Sequence, residues 1–128
     1  MGLVVHPGNA LSKEVIGAAI EVHRHLGPGL LESSYLACLS RELEVRGVNY
    51  ESQVVLSLEY KGMQWPRAFV VDLFVERLLV VEVKSVEALK PIHTSQLLTY
   101  MRLLSAPVGL VMNFNVEILV RGIRRRLL

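Results

Sequence analysis

The sequence predicts an α/β domain of the α+β kind, a central mixed sheet flanked by helices, with elements in the order ααβββαββ. Three observations carry that expectation. Apolar residues recur at helical spacing up to about Arg46, and from about Gln53 the pattern changes to β-prone runs. One helical stretch returns near Pro91, and two further strand-like runs close the chain. Helices laid over a sheet are the natural packing for such an order, and 128 residues suit one domain covering 1–128.

The first helix lies in ALSKEVIGAAIEVHRHLG, where Val15, Ile16, Ala19, Ile20, His23 and Leu26 keep helical spacing and Ser12 is the expected N-cap. His23 falls on the apolar face and reads as a hydrogen-bonded core histidine. Gly27-Pro28-Gly29 breaks the helix. A second helix is expected from Leu31 to Arg46, stopped by Gly47. VVLSLEY reads as the first strand, Lys61-Gly62 as a turn, and RAFVVDLFV and LLVVEVK as the next two strands. Trp65, at the start of a strand, reads as a packing residue, with stacking against a base as the other option. The third helix runs from about His93 to Leu104, with Leu97, Leu98, Met101 and Leu104 on its apolar face, and Pro107 ends it. VGLVMNF and EILVRGIRR are the last two strands.

Hydrophobic residues make up 52% of the chain, enough to build a core and to argue against disorder. No apolar run approaches the roughly 18 residues needed to span a bilayer. MGLVVHPGNA lacks the basic and apolar regions of a signal peptide, and His6 stands where a myristoylation motif on Gly2 would need Ser or Thr. The single Cys38 cannot form an internal disulfide and fits a reducing compartment, so a cytoplasmic location is expected. Net charge is only +2, yet Arg121, Arg124, Arg125 and Arg126 crowd the C-terminus. They read either as a phosphate-binding patch or as solvated arginines that keep an edge strand from aggregating.

The chemistry lies in the charges that interrupt the apolar strands. Glu82 and Lys84 share one face of LVVEVK, because side chains alternate. Asp72 interrupts the preceding strand. If the two strands form a hairpin, an odd loop such as Glu76-Arg77-Leu78, or a bulge, brings Asp72 opposite Glu82, whereas a plain two-residue loop would put Glu82 on the other face. Two converging carboxylates repel, and a divalent cation removes that penalty. Oxygen ligands without clustered Cys or His suit Mg²⁺ or Mn²⁺ rather than Zn²⁺. Lys84 beside them would orient a water or offset charge on a phosphate. The plain alternative is an ion pair of Lys84 with Asp72 or Glu82 on a solvated sheet face.

Asp72, nine intervening residues, then Glu82-Val83-Lys84 resembles the Asp…Glu-x-Lys core of the PD-(D/E)XK nuclease superfamily. Gly29-Leu30-Leu31-Glu32-Ser33-Ser34-Tyr35 matches the motif of the GxxExxY protein family, and Gln96-Leu97-Leu98-Thr99-Tyr100 resembles the QxxxY element of several nuclease branches. GLVMNF resembles the family's closing segment, and the likeness runs from about Leu11 to Arg126.

The resemblance implies a nuclease that hydrolyses phosphodiester bonds of DNA, or of RNA, with Mg²⁺ or Mn²⁺ as cofactor. Asp72 and Glu82 would bind the metal with the Val83 carbonyl, and Lys84 would position water. Gln96 would hold Lys84 or a phosphate, and Tyr100, one helical turn on and facing the same pocket, would pack or donate a hydrogen bond. Glu32 would approach the metal site or else simply favour the start of its helix. Arg121, Arg124 and Arg125 are the expected nucleic-acid contacts. A lone domain of this size has few ways to grip a duplex, so a homodimer or protein partner is expected as well. Two rival readings use the same residues: a non-catalytic module binding nucleic acid or protein, and a hydrolase of small phosphate esters.

Overall fold

The computed structural model describes His6 and residues 8–128; the expectations about a signal peptide and Gly2 therefore concern residues outside those described. Helices α1 (Asn9–Leu26) and α2 (Glu32–Val45) are followed by strands β1 (Tyr50–Tyr60), β2 (Met63–Val75) and β3 (Leu79–Lys84). Helix α3 (Pro91–Leu104), strand β4 (Val108–Asn113), a short 3-10 turn (Leu119–Gly122) and strand β5 (Ile123–Leu127) complete the fold. The five strands form one sheet in the order β1-β2-β3-β4-β5. Only the β3–β4 pair is parallel; the others are antiparallel.

Helices cover both faces of the sheet. On one side α1 and α2 set Val15, Ala19, Tyr35 and Leu39 against Leu73, Val81, Leu110 and Met112. On the other, α3 sets Leu97, Tyr100 and Met101 against Phe74, Val80 and Val111. This explains why β3 and β4 read as nearly unbroken apolar runs: strands buried on both faces have no solvent side to make polar. Gly109 lets α3 lie close to the sheet, since a Cβ there would meet Met101 Sδ at 2.5 Å.

Three local expectations are corrected. Ser12 is not an N-cap: α1 begins one turn earlier after Gly8, and Ser12 is buried inside it with its Oγ accepting from Arg125 Nε at 3.2 Å. Only the end of EILVRGIRR, Ile123 to Arg125, lies in a strand, because Leu119–Gly122 turns as a 3-10 helix first. Trp65 does not pack into the core; it is 58% exposed on the outer part of β2. His23 is buried, and its Nε2–H donates to the Val116 carbonyl at 2.8 Å.

Candidate active site

The turn between β2 and β3 decides which faces meet. It holds three residues, Glu76, Arg77 and Leu78, and the register pairs Val75 with Leu79, Phe74 with Val80 and Leu73 with Val81. The next positions in that register are Asp72 and Glu82. Glu76 and Arg77 are both left-handed, at φ 51° and 53°, and the Leu78 N–H donates to the Val75 carbonyl at 2.9 Å. Left-handed backbone is costly for residues other than glycine. The start of β1 and the residue before it brace the turn: Glu76 N–H donates to Asn49 O at 2.9 Å, Asn49 N–H donates to Glu76 Oε1 at 2.8 Å, and Arg77 pairs with Glu51 at 2.7 Å.

Beyond Leu73 and Val81 the side chains take over from the main-chain ladder. The Asp72 N–H donates to Glu82 Oε2 at 2.7 Å, and the Val83 N–H donates to Asp72 Oδ2 at 2.8 Å. The strands part around two carboxylates, each fixed by a main-chain donor. The other oxygens, Asp72 Oδ1 and Glu82 Oε1, take no hydrogen bond from the described residues. No buried side-chain polar atom among those residues lacks a partner, so both oxygens reach solvent.

Glu82 is 3% exposed. Burial, and then the nearby charge of Asp72, push its carboxyl up to about 8. Burial likewise raises Asp72, against the pull of the Val83 N–H and Lys84. Tyr100 on α3 is raised by burial and then by Glu82 and Asp72, which places its hydroxyl in the field of both carboxylates. It packs edge-on against Phe69, with ring centroids 5.9 Å apart.

Lys84 does not pair with either carboxylate within 4.0 Å. Its Nζ instead donates to Gln96 Oε1 at 3.1 Å. The ion-pair alternative is thus absent from the geometry, and no cation among the described residues is in contact with the two carboxylates to offset them. Their free oxygens are hard donors that fit Mg²⁺ or Mn²⁺. Among the described residues no three His, Cys, Asp or Glu side chains gather as one metal-ligand group. The chain would therefore offer two carboxylates and leave other positions to main chain, water and substrate, an arrangement Mg²⁺ commonly accepts.

Glu32 opens α2 and reaches across to the end of β3, where its Oε2 accepts the Ser85 N–H at 3.1 Å. Its charge acts on both Asp72 and Glu82. The loop before it is held by Tyr35, whose hydroxyl donates to Gly27 O at 2.6 Å and accepts the Leu30 N–H at 3.1 Å. Gly29 at φ 97° allows the loop to turn there. The ring of Tyr35 is fully buried and stacks on Phe114 at 4.6 Å.

Two supporting residues escaped the sequence reading. Asn113, buried at the end of β4, accepts the Val86 N–H at 3.0 Å and donates to the Val86 carbonyl at 2.9 Å. Ser85 Oγ donates to Leu30 O at 2.6 Å. Together they tie the segment after Lys84 to both neighbours. The available signal was a polar residue ending the apolar run GLVMN, as Glu82 interrupts LVVEVK. The arginines separate: Arg125 is engaged by Ser12 Oγ and Asn9 Oδ1 against α1, whereas Arg121 and Arg124 remain exposed.

Comparison with known proteins agrees with the fold. A family model described as the PD-(D/E)XK nuclease superfamily matches residues 9–126. A solved structure titled "Crystal structure of SSO0001" superposes with a TM-score of 0.51 at 20% identity, covering 93% of this chain and 57% of that one. The chain thus spans little more than half the length of that structure, and the likeness is one of fold. No curated protein matches the chain. No helix among the described residues is long and apolar enough to cross a membrane.

Proposed function

Because the chain belongs to the PD-(D/E)XK nuclease superfamily, we propose that it hydrolyses phosphodiester bonds of DNA, or of RNA, with Mg²⁺ or Mn²⁺ as cofactor. Within the superfamily we assign it to the GxxExxY family, on Gly29, Glu32 and Tyr35 at the motif spacing. The observation that carries the reading is the meeting of half-buried Asp72 and buried Glu82 with Lys84 free of both and held by Gln96.

Asp72, Glu82 and the Val83 carbonyl would hold the cation. A bound divalent cation supplies Lewis acidity toward a phosphate oxygen and acidifies water. The chain's own groups do the rest. Gln96 fixes the Lys84 ammonium at the end of β3, where it orients the attacking water and offsets charge on the phosphate. Glu32, exposed at the rim, stands where it can accept a hydrogen bond from water entering the site. Tyr100 and Phe69 wall the α3 side with apolar surface and strengthen the electrostatics within.

The test is incubation of labelled single-stranded and duplex DNA and RNA with Mg²⁺ or Mn²⁺. Cleavage by wild type and none by Glu82→Gln supports the assignment. Equal products from both proteins would show a contaminant. One observation favours a non-catalytic binding module as the second reading: the absence of a three-residue ligand group among the described residues. That module would bind oligonucleotide without cutting it and without metal dependence.

A further inference from the structure

Strands β1 and β2 outgrow the sheet that carries the site. β2 pairs with β3 only over Leu73–Val75, yet β1 and β2 continue as a two-stranded arm as far as the pair Tyr60 and Met63. The register shifts between Leu56 and Leu58, where Pro66, Arg67 and Ala68 add an irregularity to β2 while β1 runs on regularly. Val54 and Leu56 pack on the α3 side of the sheet with Phe69. Strand alternation then puts Leu58 and Tyr60 on that same side, with their partners Trp65 and Met63.

The resulting stripe is aromatic and open. Trp65 is 58% exposed and Tyr60 60%. It leads inward to Phe69, which touches Tyr100 beside the carboxylates. The alternating residues of this face from Val54 to Tyr60 and from Met63 to Trp65 include no carboxylate, because Glu59, opposite Gln64, faces the other way. Cations border it: Lys61 Nζ lies 5.3 Å from the Tyr60 ring centre, and exposed Arg67 occupies the irregular segment.

We propose that the β1–β2 arm binds a single-stranded polynucleotide, with bases stacked on Trp65 and Tyr60 and phosphates met by Lys61 and Arg67, and leads that strand to the Asp72–Glu82 site. The proposal rests on reading that site as phosphodiester-cleaving. Aromatic faces beside cations suit this occupant, since unpaired bases expose their rings and every base can stack. The bases of an intact duplex are already stacked on one another. A second copy of the chain would bury the same residues without needing an acid-free face.

Trp65 is the only tryptophan, so its fluorescence reports the arm alone. The experiment adds an oligothymidylate of about 20 nucleotides, or a duplex of equal length, to the Glu82→Gln protein in chelator, which separates binding from cleavage. The expected result is quenching of Trp65 by the single strand, much weaker quenching by the duplex, and affinity lowered at least about fivefold by Tyr60→Ala, the lower end of one base–aromatic stack. Trp65→Ala, followed by anisotropy of a labelled oligonucleotide, should weaken binding similarly with an unchanged melting temperature. Emission indifferent to the single strand, or changing only with protein concentration as a second copy covers the arm, would overturn the proposal. Quenching in a wild type that cleaves nothing would instead leave the arm standing and defeat the nuclease reading.

Discussion

Asp72 and Glu82 are joined through the main chain: the Asp72 N–H binds the Glu82 carboxylate at 2.7 Å, while the Asp72 carboxylate binds the Val83 N–H at 2.8 Å. This reciprocal arrangement replaces the next step of the β2–β3 ladder. It fixes both carboxylates before any ligand arrives and leaves one oxygen of each without a donor among the described residues. Sites whose groups are held rigidly in advance lose less on binding and reaction.

The first prediction concerns pH. Glu82 is raised from 4.5 to about 8, and Asp72 is raised too. A carboxyl whose folded pKa exceeds its unfolded value stabilises the fold when protonated. That contribution is complete below 4.5 and is lost as pH climbs through about 8. Urea denaturation in chelator between about pH 5 and about pH 9 should show wild type losing stability by several kcal/mol more than Glu82→Gln. Parallel curves would contradict the assignment.

A second prediction separates Lys84 from its support. Lys84→Ala should lower cleavage at least about 100-fold and leave metal-induced stabilisation in place. Gln96→Ala, which only frees the ammonium, should cost less, about tenfold, mostly in kcat. Rate measurements under saturating substrate check both. A Gln96→Ala effect confined to KM would show that Gln96 contacts substrate instead.

Tyr35→Phe removes a buried hydroxyl that satisfies both Gly27 O and Leu30 N–H. Denaturation should reveal a loss of about 1–3 kcal/mol. Cleavage should fall as well, because Leu30 O holds Ser85 and Glu32 holds the same residue from α2. Full activity at full stability would remove Tyr35 from the account.

The arginines should divide by role. Arg125→Ala breaks the contacts to Ser12 and Asn9 that dock β5 on α1, so its effect is a lowered melting temperature. Arg124→Ala should leave stability unchanged and weaken oligonucleotide binding at low salt, with a shallower salt dependence. Binding and melting of both variants, measured together, decide this.

Much of this was legible in the sequence because burial on two faces leaves a simple trace. LVVEVK and VGLVMN are apolar at nearly every position, so Glu82 stands out, and an odd turn was enough to bring Asp72 opposite it. Other features depend on contacts distant in sequence. Ser12 has the composition of an N-cap, yet Arg125 claims its hydroxyl from the far end of the chain. Trp65 has the composition of a core residue, but pairing with Leu58 carries it onto an arm that no helix among the described residues covers. The bracing of Glu76 by Asn49 and the hold of Asn113 on Val86 likewise join distant segments. Spacing within one element cannot reveal them.

The proposed function stands or falls with a divalent-cation site at Asp72 and Glu82. The most direct test is the melting temperature of wild type and Asp72→Asn at about pH 8, each with and without Mg²⁺ or Mn²⁺. A ligand bound only by the folded state raises stability by mass action. The expected outcome is a metal-dependent rise in wild type that Asp72→Asn abolishes. An equal rise in both proteins, or none in wild type with either metal, would contradict it.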